Sequence, residues 1–399
     1  MVSAGRISLV RWSGEQLQSG PAGPPAVIDP YAALPQDRRP ATATLPPVRT
    51  ATWTGPVVHI DHPVAELVPS WSADTPARSW ITVEAKVGAG AEQWSPWLVL
   101  AHWCLRDPDD PVEPGALHRT SVPGQTGPLA RVATDTVLAA EGAPFDRWQL
   151  RVHLRAPEGE ALPTLHAVSA LASTPAEVSG GHPGADQTPP VRRPAVIELT
   201  PLPQHAHAGH YPQWDGGGRS WCSPTAISMV LRHWGVGPSA DETAWVDGHE
   251  GDADVDHAAR AAYDLAYGGA GNWAFGAAYA ASRGLDAVVT RLRGVAEAEL
   301  FAWTGIPLVA SVAFTADELP EAGYATTGHL LVIAGVTETG DVVCFDPAAH
   351  DTSDPAQVRT TYPRARFERA WQGGSGGIVT IIRPRHVALP PAPPGAGWG

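Results

Sequence analysis

Lysine is almost missing from this 399-residue sequence: Lys86 is the only one, and arginine supplies the rest of the 27 basic side chains. Set against 41 Asp and Glu, they leave a formal net charge of −14. Phosphate backbones and anionic bilayers both recruit Lys and Arg, so neither nucleic acid nor a membrane surface is an expected partner. Long apolar runs are missing too. Leu330–Val336 is the longest strongly apolar stretch, far short of the roughly 20 residues that a spanning helix needs. The opening residues MVSAGRISLVRWSGEQL lack the apolar core and small-residue cleavage site of a signal peptide. Taken literally, this predicts a cytoplasmic protein; a misassigned start codon would make it a secreted one. Cysteine is scarce, with only Cys104, Cys222 and Cys344. An odd count without a C-x-x-C pair makes neither a disulfide framework nor the usual structural zinc site. Reduced thiols, one of them catalytic, fit better, and no metal or organic cofactor is expected.

Glycine and proline are abundant at 41 each, and only 17% of residues are charged against 43% hydrophobic. That is the balance of a folded, turn-rich chain rather than a disordered one, and its length predicts two domains. Residues 1–45 read as an N-terminal arm, with one strand at Ile7–Trp12. From 46 to 175 the texture is β, in short runs such as Trp80–Val87, Trp97–Leu100, Thr134–Leu138, Trp148–Leu154 and Thr164–Ala172. Along Trp80–Val87, Ile81, Val83, Ala85 and Val87 alternate with Trp80, Thr82, Glu84 and Lys86, the period of a half-buried strand. Regular short strands without helices predict an all-β, jelly-roll-like sandwich. A Gly- and Pro-rich linker follows at 176–198.

The domain after it, 199–388, reads as α+β, and a Pro/Gly-rich tail occupies 389–399. Cys222–Trp234 predicts an amphipathic helix with Pro224 in its first turn and Gly235 after its end. Further helices are expected at Val255–Tyr267, Trp273–Arg283, Val295–Trp303 and Arg364–Gln372. Strands are expected at Leu285–Leu292, Pro307–Phe314, His329–Val336, Asp341–Phe345 and Ile378–Arg383.

Thiol nucleophiles act as thiolates, and a helix N-terminus lowers a thiol's pKa. Cys222 begins a helix and follows the Gly-rich loop Asp215–Ser220. His329 opens a strand after Gly328, and Asp346 follows the next strand as Asp-Pro. A hairpin through Thr337–Gly340 would bring these two together, the carboxylate fixing the imidazole that serves as base. Gln213, on the loop before the nucleophile, is the candidate amide for the oxyanion. Trp214 and Trp221 are the candidate cleft-lining residues, with packing the alternative for Trp221.

These residues resemble the C39-like peptidases of the papain-like superfamily. The likeness runs over YPQW (211–214), WCSPTAISMVL (221–231), GNWAFGAAYAASRGL (271–285), GHLLVIAG (328–335) and DVVCFDPA (341–348). It implies a papain-like fold, Cys222 as nucleophile, His329 as base, Asp346 as orienting acid and Gln213 as oxyanion donor. The sandwich is similar to the N-terminal module of actinobacterial proteins carrying this peptidase domain. Relatives that cut double-glycine leaders have a closer Gln–Cys spacing and an exporter fused to them. Many relatives also place a polar Asn beside the Asp, where this chain has Cys344-Phe345.

The expected reaction is hydrolysis of a peptide or protein substrate. The alternatives are acyl transfer to an amine by the same triad, or an inactive papain-like domain on a glycan- or peptide-binding protein. A glycan partner for the sandwich rests on Trp53, Trp71, Trp80, Trp94, Trp97, Trp103 and Trp148, since aromatic rings stack on sugars but also fill cores. Three other patterns carry less. Gly373–Gly377 fits G-x-S-x-G, but a helix precedes it and a strand follows, the reverse of what that motif requires. Asp252, Asp254 and Asp256 lack the Gly and Glu of a calcium loop. His205, His207 and His210 could bind a metal, but a solvated linker is the preferred reading.

Overall fold

The computed structural model describes residues 6–40, 45–90, 92–115, 117–174, 194–215, 217–247 and 252–398. Residues 176–193, most of the predicted linker, lie outside them. The chain forms two compact units. One comprises Val10–Thr174 and Ala261–Ser282; the other comprises Met1–Leu9, Pro175–Arg260 and Arg283–Gly399.

The first unit is a β-sandwich. One sheet runs in the order Arg6–Ser13, Thr164–Thr174, Glu66–Asp74, Val137–Ala139, Ala130–Val132. The other runs Val48–Thr54, Phe145–Pro157, Trp80–Ala89, Leu98–Trp103, Thr120–Ser121, with Val58–Val64 and Gln93–Trp94 as side strands. The alternation of Trp80–Val87 is realised in register: Ile81, Val83, Ala85 and Val87 pair with Leu154, Val152, Leu150 and Trp148, all buried. Edge-to-face tryptophans join the two sheets, Trp12 to Trp148 at 5.6 Å and Trp71 to Trp103 at 6.4 Å between ring centres. The opposite face is polar at Glu84, Arg151 and His153. Around Trp80 it is covered by Tyr31 and Leu34 of the N-terminal arm, which pack with Val48, Cys104 and Leu117. Of the seven tryptophans considered for a glycan, Trp53, Trp71, Trp80, Trp103 and Trp148 are buried. Trp94 and Trp97 are half-buried, with Lys86 over both rings and Arg147 and Arg151 over one each.

A later segment completes this sandwich. The helix Trp273–Ser282 is buried on nearly all sides, and Phe275 meets Trp103 at 5.1 Å and Trp71 at 6.1 Å. The helix expected over Val255–Tyr267 spans only Ala253–Ala262. The reason is Asp264, whose carboxylate accepts from the backbone N–H groups of Ala266 and Tyr267 and so offers the chain a turn instead. The same buried carboxylate accepts from Ser121 N–H and Asn272 Nδ2. Asp135 accepts from Trp273 N–H, and burial raises its carboxyl to about 6.

The second unit has one antiparallel sheet in the order Asp286–Arg291, Ile378–Arg383, Leu308–Phe314, Thr326–Val336, Val342–Phe345, Arg359–Tyr362, with Ala195–Val196 beside Thr326–Val336. Helices Cys222–Trp234, Val295–Trp303 and Arg364–Ser375 belong to it. Its apolar cluster includes Phe301, Leu331, Ile333, Tyr362, Phe367 and Trp371. Among the described residues no helix is long and apolar enough to cross a membrane.

Truncating Phe275 to Ala leaves a void between Trp71 and Trp103 and should destabilise the sandwich by about 3–5 kcal/mol. Chemical denaturation followed by tryptophan fluorescence checks this; an unchanged midpoint would contradict the packing.

Candidate active site

The helix Cys222–Trp234 starts where Trp221 leaves helical geometry and ends at Gly235, whose φ of 70° is the left-handed cap. Its first residue is the half-buried Cys222. The unpaired N–H groups and positive dipole end of the helix therefore lie beside the sulfur.

His329 and Asp346 come from adjacent strands. Ile333 pairs with Cys344 and Val332 with Phe345. Continuing that register sets Asp346 across from Leu331, on the face that His329 shares. The two side chains meet at 2.8 Å, His329 Nε2 to Asp346 Oδ1, and both are buried. With Nε2 engaged, Nδ1 is the nitrogen left for the hydrogen bond between His329 and the Cys222 thiol.

Asp346 is supported by more than the histidine. Tyr362 donates to Oδ2 at 2.6 Å, Tyr324 donates to the same oxygen at 2.9 Å, and Ala348 N–H donates to Oδ1 at 3.0 Å. Two tyrosines, from different parts of the chain, thus donate to this one carboxylate.

The charges follow from these contacts. Burial raises the Cys222 pKa, but the His329 charge, its hydrogen bond and backbone hydrogen bonds with Leu330 and Ser223 outweigh it, so the thiol lies below its ordinary value. Burial lowers His329, but Asp346 and Cys222 together drive it well upward. Asp346 is held below the usual carboxylate range by His329, Tyr362 and Ala348 in spite of its burial. Burial and the Asp346 charge raise both tyrosine hydroxyls, which stay protonated as donors. The other two thiols move the opposite way. Burial pushes Cys104 up to about 11, and burial with the Asp346 charge raises Cys344 well above the ordinary value.

Gln213 is exposed on a turn, and among the described residues no hydrogen bond ties it to Cys222. The buried amide near the nucleophile loop is that of Gln204. Its Nε2 donates to Arg219 O at 2.6 Å, its backbone N–H donates to Pro347 O at 2.9 Å, and its Oε1 is buried with no partner among the described residues. Gln204 lies eighteen residues before Cys222, and no motif in the sequence marks it. Its closeness comes from Gly218, where an added Cβ would stand 2.2 Å from Gln204 O, and from Gly217, whose φ is 71°. Only glycine permits that approach.

Trp221 is fully buried and donates through Nε1 to Trp214 O at 2.6 Å; the structure places it in packing, not at a surface. Trp214 is half-buried against Tyr211 at 5.0 Å and Trp245 at 5.4 Å. Ser375 of the G-x-S-x-G match donates to Ser311 O and accepts from Ile378 N–H, a joint between helix and strand. Asp252 and Asp254 both bind Arg232, and Asp256 faces two histidines instead.

Comparison with known proteins agrees with this architecture. The model of the Peptidase C39 N-terminal domain matches residues 13–173, and that of the Peptidase_C39 like family matches residues 196–377. Among solved structures, a Bacillus anthracis protein assigned to the C39-like peptidases is 15% identical, with a TM-score of 0.29 over 48% of this chain and 98% of its own. A structure of infectious bursal disease virus, Gx strain, is 11% identical, with a TM-score of 0.24 over 46% of this chain and 35% of its own. None of the curated proteins matches. Residues 196–377 are thus a C39-like peptidase domain, and residues 13–173, the β-sandwich before it, match the N-terminal domain of that family.

In the folded protein, Cys222 should alkylate with iodoacetamide well below pH 9, while Cys104 and Cys344 stay unreactive. Peptide mass spectrometry across a pH series reads this directly. Tyr362→Phe removes a donor that fixes the Asp346 carboxylate, so His329 is held less firmly beside the thiol and the pH at which Cys222 alkylation sets in should move upward. An unchanged profile would separate Tyr362 from the charge relay to the thiol.

Proposed function

We propose that this protein hydrolyses peptide bonds with Cys222 as nucleophile, His329 as acid and base, and Asp346 as the group that orients His329. The observation that carries the reading is geometric: Cys222 starts a helix beside His329, whose Nε2 a buried carboxylate holds at 2.8 Å, and the lowered thiol accords with it. Inert buried thiols move the other way, as Cys104 and Cys344 do.

The thiolate of Cys222 attacks the carbonyl carbon of the scissile bond. Negative charge develops on the carbonyl oxygen and is met by the Cys222 backbone N–H and the Gln204 amide. The amide of Gln204 has two N–H donors and gives one to Arg219 O, which leaves the second for the oxyanion. His329 then transfers its proton to the departing amine, and the C–N bond breaks to leave a thioester on Cys222. Neutral His329 next takes a proton from water as the water oxygen attacks the thioester. Release of the carboxylic acid product restores the thiolate and imidazolium. Asp346 keeps its charge throughout and fixes the ring orientation. The half-buried Trp214, beside Tyr211 and Trp245, supplies an apolar wall for substrate.

Cys222→Ala should abolish cleavage of a proteome-derived peptide library read by mass spectrometry; persistent cleavage would refute the proposal. Gln204→Ala should lower kcat by on the order of 10²–10³-fold with KM little changed, whereas Gln213→Ala should leave both near the parent values. The reverse pattern would return the oxyanion role to Gln213. A bell-shaped kcat/KM profile should rise with loss of the thiol proton below pH 9 and fall with loss of the His329 proton above the ordinary imidazole range.

A further inference from the structure

Three side chains close to the nucleophile loop take no part in this chemistry. His207 is buried, at 2% exposure, and His210 nearly so. Each directs Nδ1 at Asp256, a carboxylate with no exposure, His207 at 2.9 Å from Oδ2 and His210 at 3.0 Å from Oδ1. One ligand atom from each of the three residues lies within 4.8 Å of the other two. His207 Nε2 is buried and meets no hydrogen-bond partner among the described residues. The segment expected to be solvated is instead folded in against the helix Ala253–Ala262.

A carboxylate with no exposure needs donors or counter-charge around it, and the two imidazoles are the partners that face Asp256. Arg260, one turn further along the same helix, spreads its guanidinium over the rings of Trp214 and Trp245 at 5.3 and 5.0 Å. A divalent ion would neutralise the carboxylate and use both imidazoles. Ligand atoms about 2.0–2.2 Å from one ion, in tetrahedral or octahedral geometry, stand roughly 2.9–3.5 Å apart. Each histidine stands at such a distance from its own carboxylate oxygen, 2.9 Å to Oδ2 and 3.0 Å to Oδ1, and one atom from each of the three residues must close in from within 4.8 Å.

We propose that His207, His210 and Asp256 bind one divalent first-row transition ion of the zinc type. Two imidazole nitrogens and one carboxylate oxygen are the borderline donor set that such ions take. Small rotations of the two rings turn the ligand atoms to a common point, and solvent completes the coordination. The ion is structural. It ties the segment that begins at Gln204 to the helix Ala253–Ala262, and the His207 ring lies 6.1 Å from that of Trp221, the residue before Cys222. It touches neither the thiol nor His329.

The test uses the full chain carrying Cys222→Ala, so that the thiol–imidazole pair cannot itself take the ion and the outcome is independent of peptidase activity. The chain is stripped with a chelator and titrated with Zn²⁺ alone against a chromophoric competitor, then with Co²⁺ alone by visible absorption. One ion per chain is expected, with micromolar or tighter affinity and a rise in Tm that EDTA reverses. His210→Ala, at the more accessible ligand, and Asp256→Asn should each weaken binding by on the order of 100-fold or more, at or beyond the upper end of what loss of an outer-shell partner costs, and remove the Tm rise. His205→Ala, on the same segment but facing Asp351 at 3.2 Å, should change neither. Failure of the Cys222→Ala chain to take up an ion, or undiminished affinity in His210→Ala, overturns the site and leaves the three residues as a hydrogen-bonded bracket.

Discussion

A carboxylate sealed away from water stays charged only if donors and counter-charge surround it. Asp346 meets that condition four times over, through His329, Tyr324, Tyr362 and Ala348 N–H. Everything else at the site inherits its state. The charge on Asp346 holds a proton on His329, and the charge on His329 offsets the burial of Cys222 and keeps its thiol acidic. Cys344, two residues earlier, becomes harder to ionise, through burial first and the Asp346 charge second.

The second constraint is steric. The nucleophile loop approaches the Gln204–His207 turn closely enough that a methyl group at Gly218 would overlap backbone atoms of Gln204 and His207. That proximity lets one short segment present a buried amide towards the nucleophile loop and two imidazoles towards Asp256. Gln204 is also joined through its backbone to Pro347, the neighbour of Asp346, so loop and carboxylate are fixed relative to each other.

Much of this was legible from sequence because local signals agreed with tertiary ones. Pro224 and Gly235 bracket a helix whose ends coincide with those read from the chain. The short turn Thr337–Gly340 between two apolar runs made the hairpin carrying His329 and Asp346 visible. What escaped detection depends on contacts distant in sequence. Gln204 carries no local mark, since its placement is created by glycines more than ten residues away. Tyr324 and Tyr362 lie on different elements and meet only at Asp346. The histidines at 207 and 210 sit in a polar, turn-like stretch, and nothing in that texture announces a buried carboxylate on a later helix. For the segment 261–282, amphipathic and apolar patterns identify helices but do not say which core receives them.

That last segment bears on how the molecule can be made and exchanged. Since Ala261–Ser282 belongs to the sandwich while the residues on either side belong to the other unit, the chain passes from one unit to the other and back within its second half. During synthesis the N-terminal module cannot complete its core until residue 282 has left the ribosome, well after its own last strand. Two modules that look consecutive on a family map exchange a segment along the chain, so recombination between relatives that cuts only near residue 175 would separate the sandwich from a piece of itself.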